Sequence, residues 1–370
     1  ILDREGHISR YSHDPINPNS VAANMLWRVL GGKNGDVIIG TTTAGVSVFN
    51  IYNRQAGYTR VFSDGEGNFY DSYIAEVEED RRGVLWLGAL ERLIRWDKQN
   101  NRVRFYYYYT PPGWKGPQSI EIRSVCTDPQ GRVWVSALGD GISILNETTG
   151  QFTKVPRDTT LSPAVRSNLV FELYTARNGM IWVGSGAGMY RVDPRSLRID
   201  PLTHDTVLSP INGLRVNRFM EDRKNNLWIA TSKGVFVYDP VKRQLKQYSR
   251  ANGLGADYSY NLLEAADGSV YVSTSDGFSI IGANQVRSFR KGAGLKYTYC
   301  EGMVEDREGK IWIANGKCLI RFDPARGTSQ YFDENSGLSN EGFRSVAMCG
   351  TRNGEILLGS RTGINYFFPA

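Results

Sequence analysis

Histidine is scarce in this chain: His7, His13 and His204 are the only three among 370 residues, and none is spaced to share a ligand or serve a neighbouring nucleophile. A metal centre needs clustered His, Cys, Asp or Glu, and a nucleophilic triad needs an oriented base. No catalytic residue, no metal ligand and no cofactor is therefore assigned. Cysteine is nearly as rare, and Cys126, Cys300, Cys318 and Cys349 show no metal-type spacing. Cys126 and Cys349 each fall five residues before a turn glycine and read as small apolar side chains. Cys300 and Cys318 belong to one repeat but to strands that are not neighbours, which argues against a disulfide. No apolar run approaches the roughly 18 residues of a membrane span. Residues 1–5 carry no signal-peptide pattern, so export would require a targeting segment outside this sequence. Long amphipathic helical periods are missing too. The net charge of +6 is spread over turns and outer strands without a basic block, and nucleic acid is not an expected partner.

What the chain has in quantity is glycine, 40 residues of it, set in a repeated unit. Asp80, Gly83, Trp86 and Gly88 mark one copy; Asp128, Gly131, Trp134 and Ser136 mark the next. Further copies centre on Trp182, Trp228 and Trp312, and weaker ones place Ile38, Tyr271 or Leu357 at the aromatic position. The turn anchors are Gly35, Gly83, Gly131, Gly179, Asn225, Gly268, Gly309 and Gly354, eight copies at spacings of 41 to 48 residues. An Asp-x-x-Gly sequence suits a tight hairpin: the carboxylate accepts from turn N–H groups and the glycine takes the positive φ. The strand that follows is apolar on both faces, as in Ile181, Trp182 and Val183, so it should be covered on both sides. The small residue closing it leaves room for a passing backbone. Trp86, Trp134, Trp182, Trp228 and Trp312 thus read as core, and Asp80, Asp128, Asp222 and Asp306 as turn formers.

A repeat that runs from end to end argues for one closed array over residues 1–370. The fold class is all-β, a single β-propeller of four-stranded blades, with eight blades expected and seven as the alternative. Each repeat supplies four strands; in the first, the fourth is placed at 58–62. The last repeat stops after its third strand, at 364–368, while residues 7–12 form a strand without partners. The N-terminal strand should join the last blade and so remove the open edges. Seven residues before each anchor stand Arg28, Glu76, Ser124, Glu172, Arg218, Asn261, Gly302 and Ala347, a mixed set; the next residue is apolar in every copy. This alternation suits a first strand that lines a central channel.

These residues resemble the two-component regulator propeller repeat: the Asp-x-x-Gly-x-x-Trp-x-Gly unit, then an apolar strand closing in Asp-Pro at Asp193-Pro194, Asp239-Pro240 and Asp323-Pro324. The resemblance implies a periplasmic sensor module of a Bacteroides-type hybrid two-component system, in which propellers recognise oligosaccharides. It also implies a second propeller, a β-sandwich and a kinase in a longer protein, with a homodimer formed through those absent domains. The implied partners are an oligosaccharide ligand and the neighbouring sensor domains. The loops that gather at one face carry cations and aromatics that do not repeat, and an aromatic face with Arg forks suits sugars. The candidates for ligand binding are Tyr73, Trp114, Arg166, Arg215, Arg218, Tyr258, Tyr260, Tyr299 and Arg344. A propeller polysaccharide lyase or glycoside hydrolase is the alternative, and a pure interaction scaffold a third; the scarcity of His and the lack of a non-repeating acidic cluster favour sensing.

Overall fold

A computed structural model describes residues 21–31, 36–50, 56–59, 62–66, 68–70, 73–108, 120–158, 160–283, 285–316, 318–333, 336, 338, 343–361 and 363–369. Among the described residues the helical segments are short, a turn at Pro163–Arg166 and 3-10 stretches such as Ser209–Ile211 and Arg250–Asn252, and the rest of the regular structure is strand. The first three strands of each of the eight repeats form an antiparallel meander in sequence order from the inner strand outward.

Seven of these sheets follow one another around a ring. Their inner strands are Ile74–Glu79, Ile122–Thr127, Val170–Thr175, Val216–Glu221, Ser259–Glu264, Met303–Glu305 and Phe343–Gly350. Each lies beside the next, and Phe343–Gly350 returns to pack on Ile74–Glu79. We number these ring sheets 1 to 7. The second strand of every ring sheet is buried at all five positions, as the two-sided apolar pattern requires.

Two expectations need correction. The strand that completes ring sheet 7 is Ala56–Thr59, paired antiparallel to Gly363–Phe367 with Tyr58 opposite Asn365. It was assigned to the first repeat; residues 7–12, expected in that place, lie outside the described residues. Giving the last sheet a strand from the segment just before ring sheet 1 couples the two ends of the ring, which is the edge-removing device the sequence called for, made with a different strand. Among the described residues the first repeat keeps three strands, Leu26–Gly31, Asp36–Thr41 and Val46–Asn50, and its sheet does not pack among the seven inner strands of that succession.

The repeated motif has a geometric reason beyond the hairpin. Asp80 Oδ1 accepts from the Arg82 and Val84 N–H groups, while its Oδ2 accepts from the Trp86 indole at 3.0 Å. The same carboxylate-to-indole bond joins Asp128 to Trp134, Asp222 to Trp228 and Asp306 to Trp312 at 2.7 to 2.8 Å. One side chain therefore closes the turn and satisfies the only polar atom of a buried indole. Burial alone would raise the Asp222 carboxyl, but the indole, Asn226 and two backbone donors outweigh it and hold the group below its ordinary range.

On the turn side, neighbouring ring sheets are clasped by one recurrent contact. Glu221, Glu264 and Glu305 accept from the N–H of Arg177, Arg223 and Ala266 in the preceding sheet. Across the closure, Glu79 accepts from Arg352 N–H at 2.9 Å, and the Arg352 guanidinium donates to the Asp80 and Arg81 carbonyls. Sheet 7 is thus fastened to sheet 1 as internal neighbours are to each other.

Candidate functional site

Ring sheets 1 to 5 share an irregularity on the inner strand: the register with the second strand slips between Ile74 and Glu76, and likewise at Ile122/Ser124, Val170/Glu172, Val216/Arg218 and Ser259/Asn261. A bulge at this place re-aims the side chains on either side of it. Two layers of non-repeating residues result, one deep in the channel and one at its mouth.

The deep layer comes from positions seven and five residues before the anchors. Here a cavity of about 1050 Å³ is lined by Glu76, Glu78, Cys126, Glu172, Tyr174 and Arg218, among others, and extends to the turn side. Arg218 of ring sheet 4 places Nη1 3.3 Å from Glu172 Oε2 in sheet 3 and 3.9 Å from Glu76 Oε2 in sheet 1. One guanidinium thus spans the channel. Glu76 and Glu172 are buried, and Glu78 keeps only partial exposure. Removal from water pushes all three carboxyls up, Glu172 and Glu78 to about 7 and Glu76 well above its ordinary value, although Arg218 pulls each of them down. The expected lack of a non-repeating acidic cluster is therefore overturned: carboxylates 96 residues apart in sequence, at Glu76 and Glu172, meet because their sheets face one channel. Among the described residues no group of three or more His, Cys, Asp or Glu is placed to hold a metal ion.

The mouth layer comes from positions ten and eight before the anchors, where the inner strands begin. The backbone there is fixed by the turn between second and third strands: Leu169, Arg215 and Tyr258 each give their carbonyl to a turn N–H, from Gly186, Ser232 and Ser275. The Arg215 guanidinium carbon lies over the Phe171 ring, 3.7 Å from its centroid, and 5.8 Å from that of Tyr258. Its Nε donates to Asn217 Oδ1 at 2.8 Å, and Asn217 is itself anchored on the Ser259 carbonyl. Tyr258 packs on Tyr260 at 5.0 Å, and Tyr260 meets Tyr299 edge-on at 5.3 Å. An arc of Phe171, Arg215, Tyr258, Tyr260 and Tyr299 thus runs over ring sheets 3 to 6. Burial with no carboxylate close by pushes the Arg215 guanidinium below its ordinary value.

Of the nine residues singled out from sequence, Arg215, Tyr258, Tyr260 and Tyr299 meet in this arc. Arg218 lies below it in the carboxylate layer, so its charge is already engaged. Tyr73 is buried, and its carbonyl accepts from the Tyr70 hydroxyl. Arg166 is exposed at the end of the Pro163–Arg166 turn and does not join the arc. Trp114 and the side chain of Arg344 lie outside the described residues. Phe171 and Asn217, which hold the Arg215 guanidinium, were missed; counting eight residues back from Gly179 and Asn225 finds both. Cys300 and Cys318 are free thiols.

Seven sheets around a channel define a β-propeller. Residues 210–233, which span the mouth strand and anchor of ring sheet 4, match the family model of the two component regulator propeller. Among solved structures it is similar to the extracellular domain attributed to a hybrid two component system, BT3049, of B. thetaiotaomicron, with 19% identity and a TM-score of 0.75 over 95% of this chain and 46% of that one. Virginiamycin B lyase from Staphylococcus aureus is similar in fold, with 11% identity and a TM-score of 0.63 over 85% of this chain and 99% of that one. Among curated proteins, histidine kinase P4 of Formosa agariphila is 24% identical over 215 residues, 55% of this chain and 15% of the kinase. The chain therefore spans about half the length of the solved domain and a small part of the kinase. No helix among the described residues is long and apolar enough to cross a membrane.

Proposed function

We propose that this propeller is a non-enzymatic, extracytoplasmic sensor module of a hybrid two-component system, and that it recognises an oligosaccharide at the channel mouth. The observation that carries this reading is the arc of Phe171, Arg215, Tyr258, Tyr260 and Tyr299, assembled from four sheets at positions the repeat leaves free. Tyr299 and the half-buried Tyr258 and Tyr260 offer ring area to the C–H faces of sugars, and guanidinium donors suit sugar oxygens. The likeness to an extracellular two-component domain supports the setting; sensing through a neighbouring domain docked on the same face belongs to the same reading.

The carboxylates of the channel favour structure over hydrolysis. Glu76 and Glu172 are buried and share Arg218, deep below the face a polymer would approach. Glycoside hydrolysis needs two carboxyl groups flanking an accessible bond. A thermal-shift screen of the chain against an oligosaccharide panel, run beside a turnover assay, tests the reading. A bound sugar at a hundred times its Kd raises stability by about 2.7 kcal/mol. A melting shift without product supports sensing; product formation lost on a single substitution in the channel overturns it.

A further inference from the structure

At the mouth, Arg215 carries a charge that no carboxylate among the described residues balances. Arg123 is paired with Glu121 at 3.0 Å, and Arg218 with Glu172 and Glu76 below. Glu301 takes the Tyr299 hydroxyl. Arg215 makes no ion pair: its Nε is held by Asn217, its face is covered by Phe171, and its two Nη groups have no acceptor among the described residues. Ordinary surface arginines swing freely in water, whereas this one is stacked, tethered and half-buried, so its remaining donor edge is set in direction. Two parallel N–H donors on one edge match the two oxygens of a carboxylate, or of a sulfate, and charge-assisted bonds of this kind are the strong ones.

Resting on the saccharide reading above, we propose that the ligand is an acidic saccharide, whose oxyanion is gripped by the Nη edge of Arg215 while an adjoining sugar ring lies against Tyr258, Tyr260 and Tyr299. Asn217 and Phe171 are positioning residues that keep the fork turned outward. A neutral sugar would leave the guanidinium half-buried without a counter-charge, so the site discriminates by what it loses as well as by what it gains.

Calorimetric titration of the whole chain tests this. The probes are uronate-containing oligosaccharides, the same oligomers after reduction of their carboxyl groups to neutral alcohols, and sulfated oligomers with neutral backbones. The acidic form should bind about tenfold or more tightly than its reduced twin. Arg215→Gln should erase that difference, Arg215→Lys should restore part of it, and Tyr260→Ala should weaken both forms alike. Preference for the uronates assigns the oxyanion to a carboxylate, and preference for the sulfated oligomers assigns it to a sulfate. Equal binding of acidic and neutral twins, or a preference that survives Arg215→Gln with the variant's melting unchanged, overturns the inference and leaves the saccharide reading standing. Failure of every oligomer to bind the folded chain overturns both.

Discussion

The sheet of the first repeat and the seven sheets of the ring are built on one sequence pattern and end in different environments. Trp134, in the second strand of ring sheet 2, is fully buried, whereas Trp27 in the first sheet is 80% exposed. Val29 stands six residues before its anchor, as Val77 and Val125 do; it is 54% exposed, while they are buried. Glycines tell the same story. A side chain at Gly88 would lie 2.7 Å from the Ile122 carbonyl of the next sheet, and one at Gly359 would meet Ala347 at 2.6 Å and the Ile74 carbonyl at 3.0 Å. At Gly40 the nearest atoms belong to its own sheet, 3.8 Å away. The pattern specifies a meander with two apolar faces, and only neighbouring sheets turn those faces into a core. The first sheet has the sequence of a ring member without such neighbours among the described residues.

That contrast can be broken by substitution. The largest difference belongs to the tryptophans: Trp134→Ala should cost about 3–5 kcal/mol in denaturant unfolding, and Trp27→Ala within about 0.5 kcal/mol. Similar losses at both would mean that the first sheet is packed in solution. Next come the glycines. Gly88→Ala forces a methyl against a backbone carbonyl and should cost about 1–3 kcal/mol, while Gly40→Ala should leave the midpoint nearly unchanged. Asp222→Ala strips the Trp228 indole and two turn amides of their acceptor and should cost about 2 kcal/mol. The first-repeat anchor offers no Asp at the matching place, three residues before Gly35, so it has no counterpart to lose.

The smallest effect sharpens the comparison from inside the ring. Glu78 and Glu172 are pushed up to about 7 by burial. A carboxyl whose folded pKa exceeds its unfolded value of 4.5 contributes its stability fully below 4.5 and loses it as pH rises through 7. Melting temperature should therefore fall between about pH 5 and pH 8, and Glu78→Gln together with Glu172→Gln should flatten the slope. A slope unchanged in the double variant would place the titrating groups elsewhere. The Asp222 group has the opposite sign: held low, it stabilises above its unfolded value and loses that contribution as acid protonates it.

Much of the fold was legible because the repeat is local. Asp80, Gly83 and Trp86 announce a hairpin and a buried strand within seven residues, and the positive φ of Gly83, Gly131, Gly179 and Asn225 follows from the turn. The carboxylate-to-indole bond was not legible, since it depends on how Trp86 folds back over Asp80. The closing strand escaped for a different reason. Residues 56–59 follow the third strand of the first repeat and read as its fourth; which sheet receives them depends on how many sheets complete a circle, a property of the whole ring. In the candidate site, Arg215, Tyr258 and Tyr299 stood out as cations or aromatics that the repeat does not require, and all three lie ten residues before an anchor. The Glu76, Glu172 and Arg218 group shares another offset, yet sequence gives no sign that sheets 1, 3 and 4 face one another across a channel.

Hydrogen exchange of the intact chain, read peptide by peptide, tests the central claim that a ring of seven sheets is closed by residues 56–59 with the first sheet outside it. Peptides covering Ala56–Thr59 and Gly363–Phe367 should exchange together, as slowly as Leu85–Ala89, while those covering Leu26–Gly31 and Asp36–Thr41 should exchange well before them. Early exchange at 56–59, or protection of the first sheet equal to that of the ring, would contradict it.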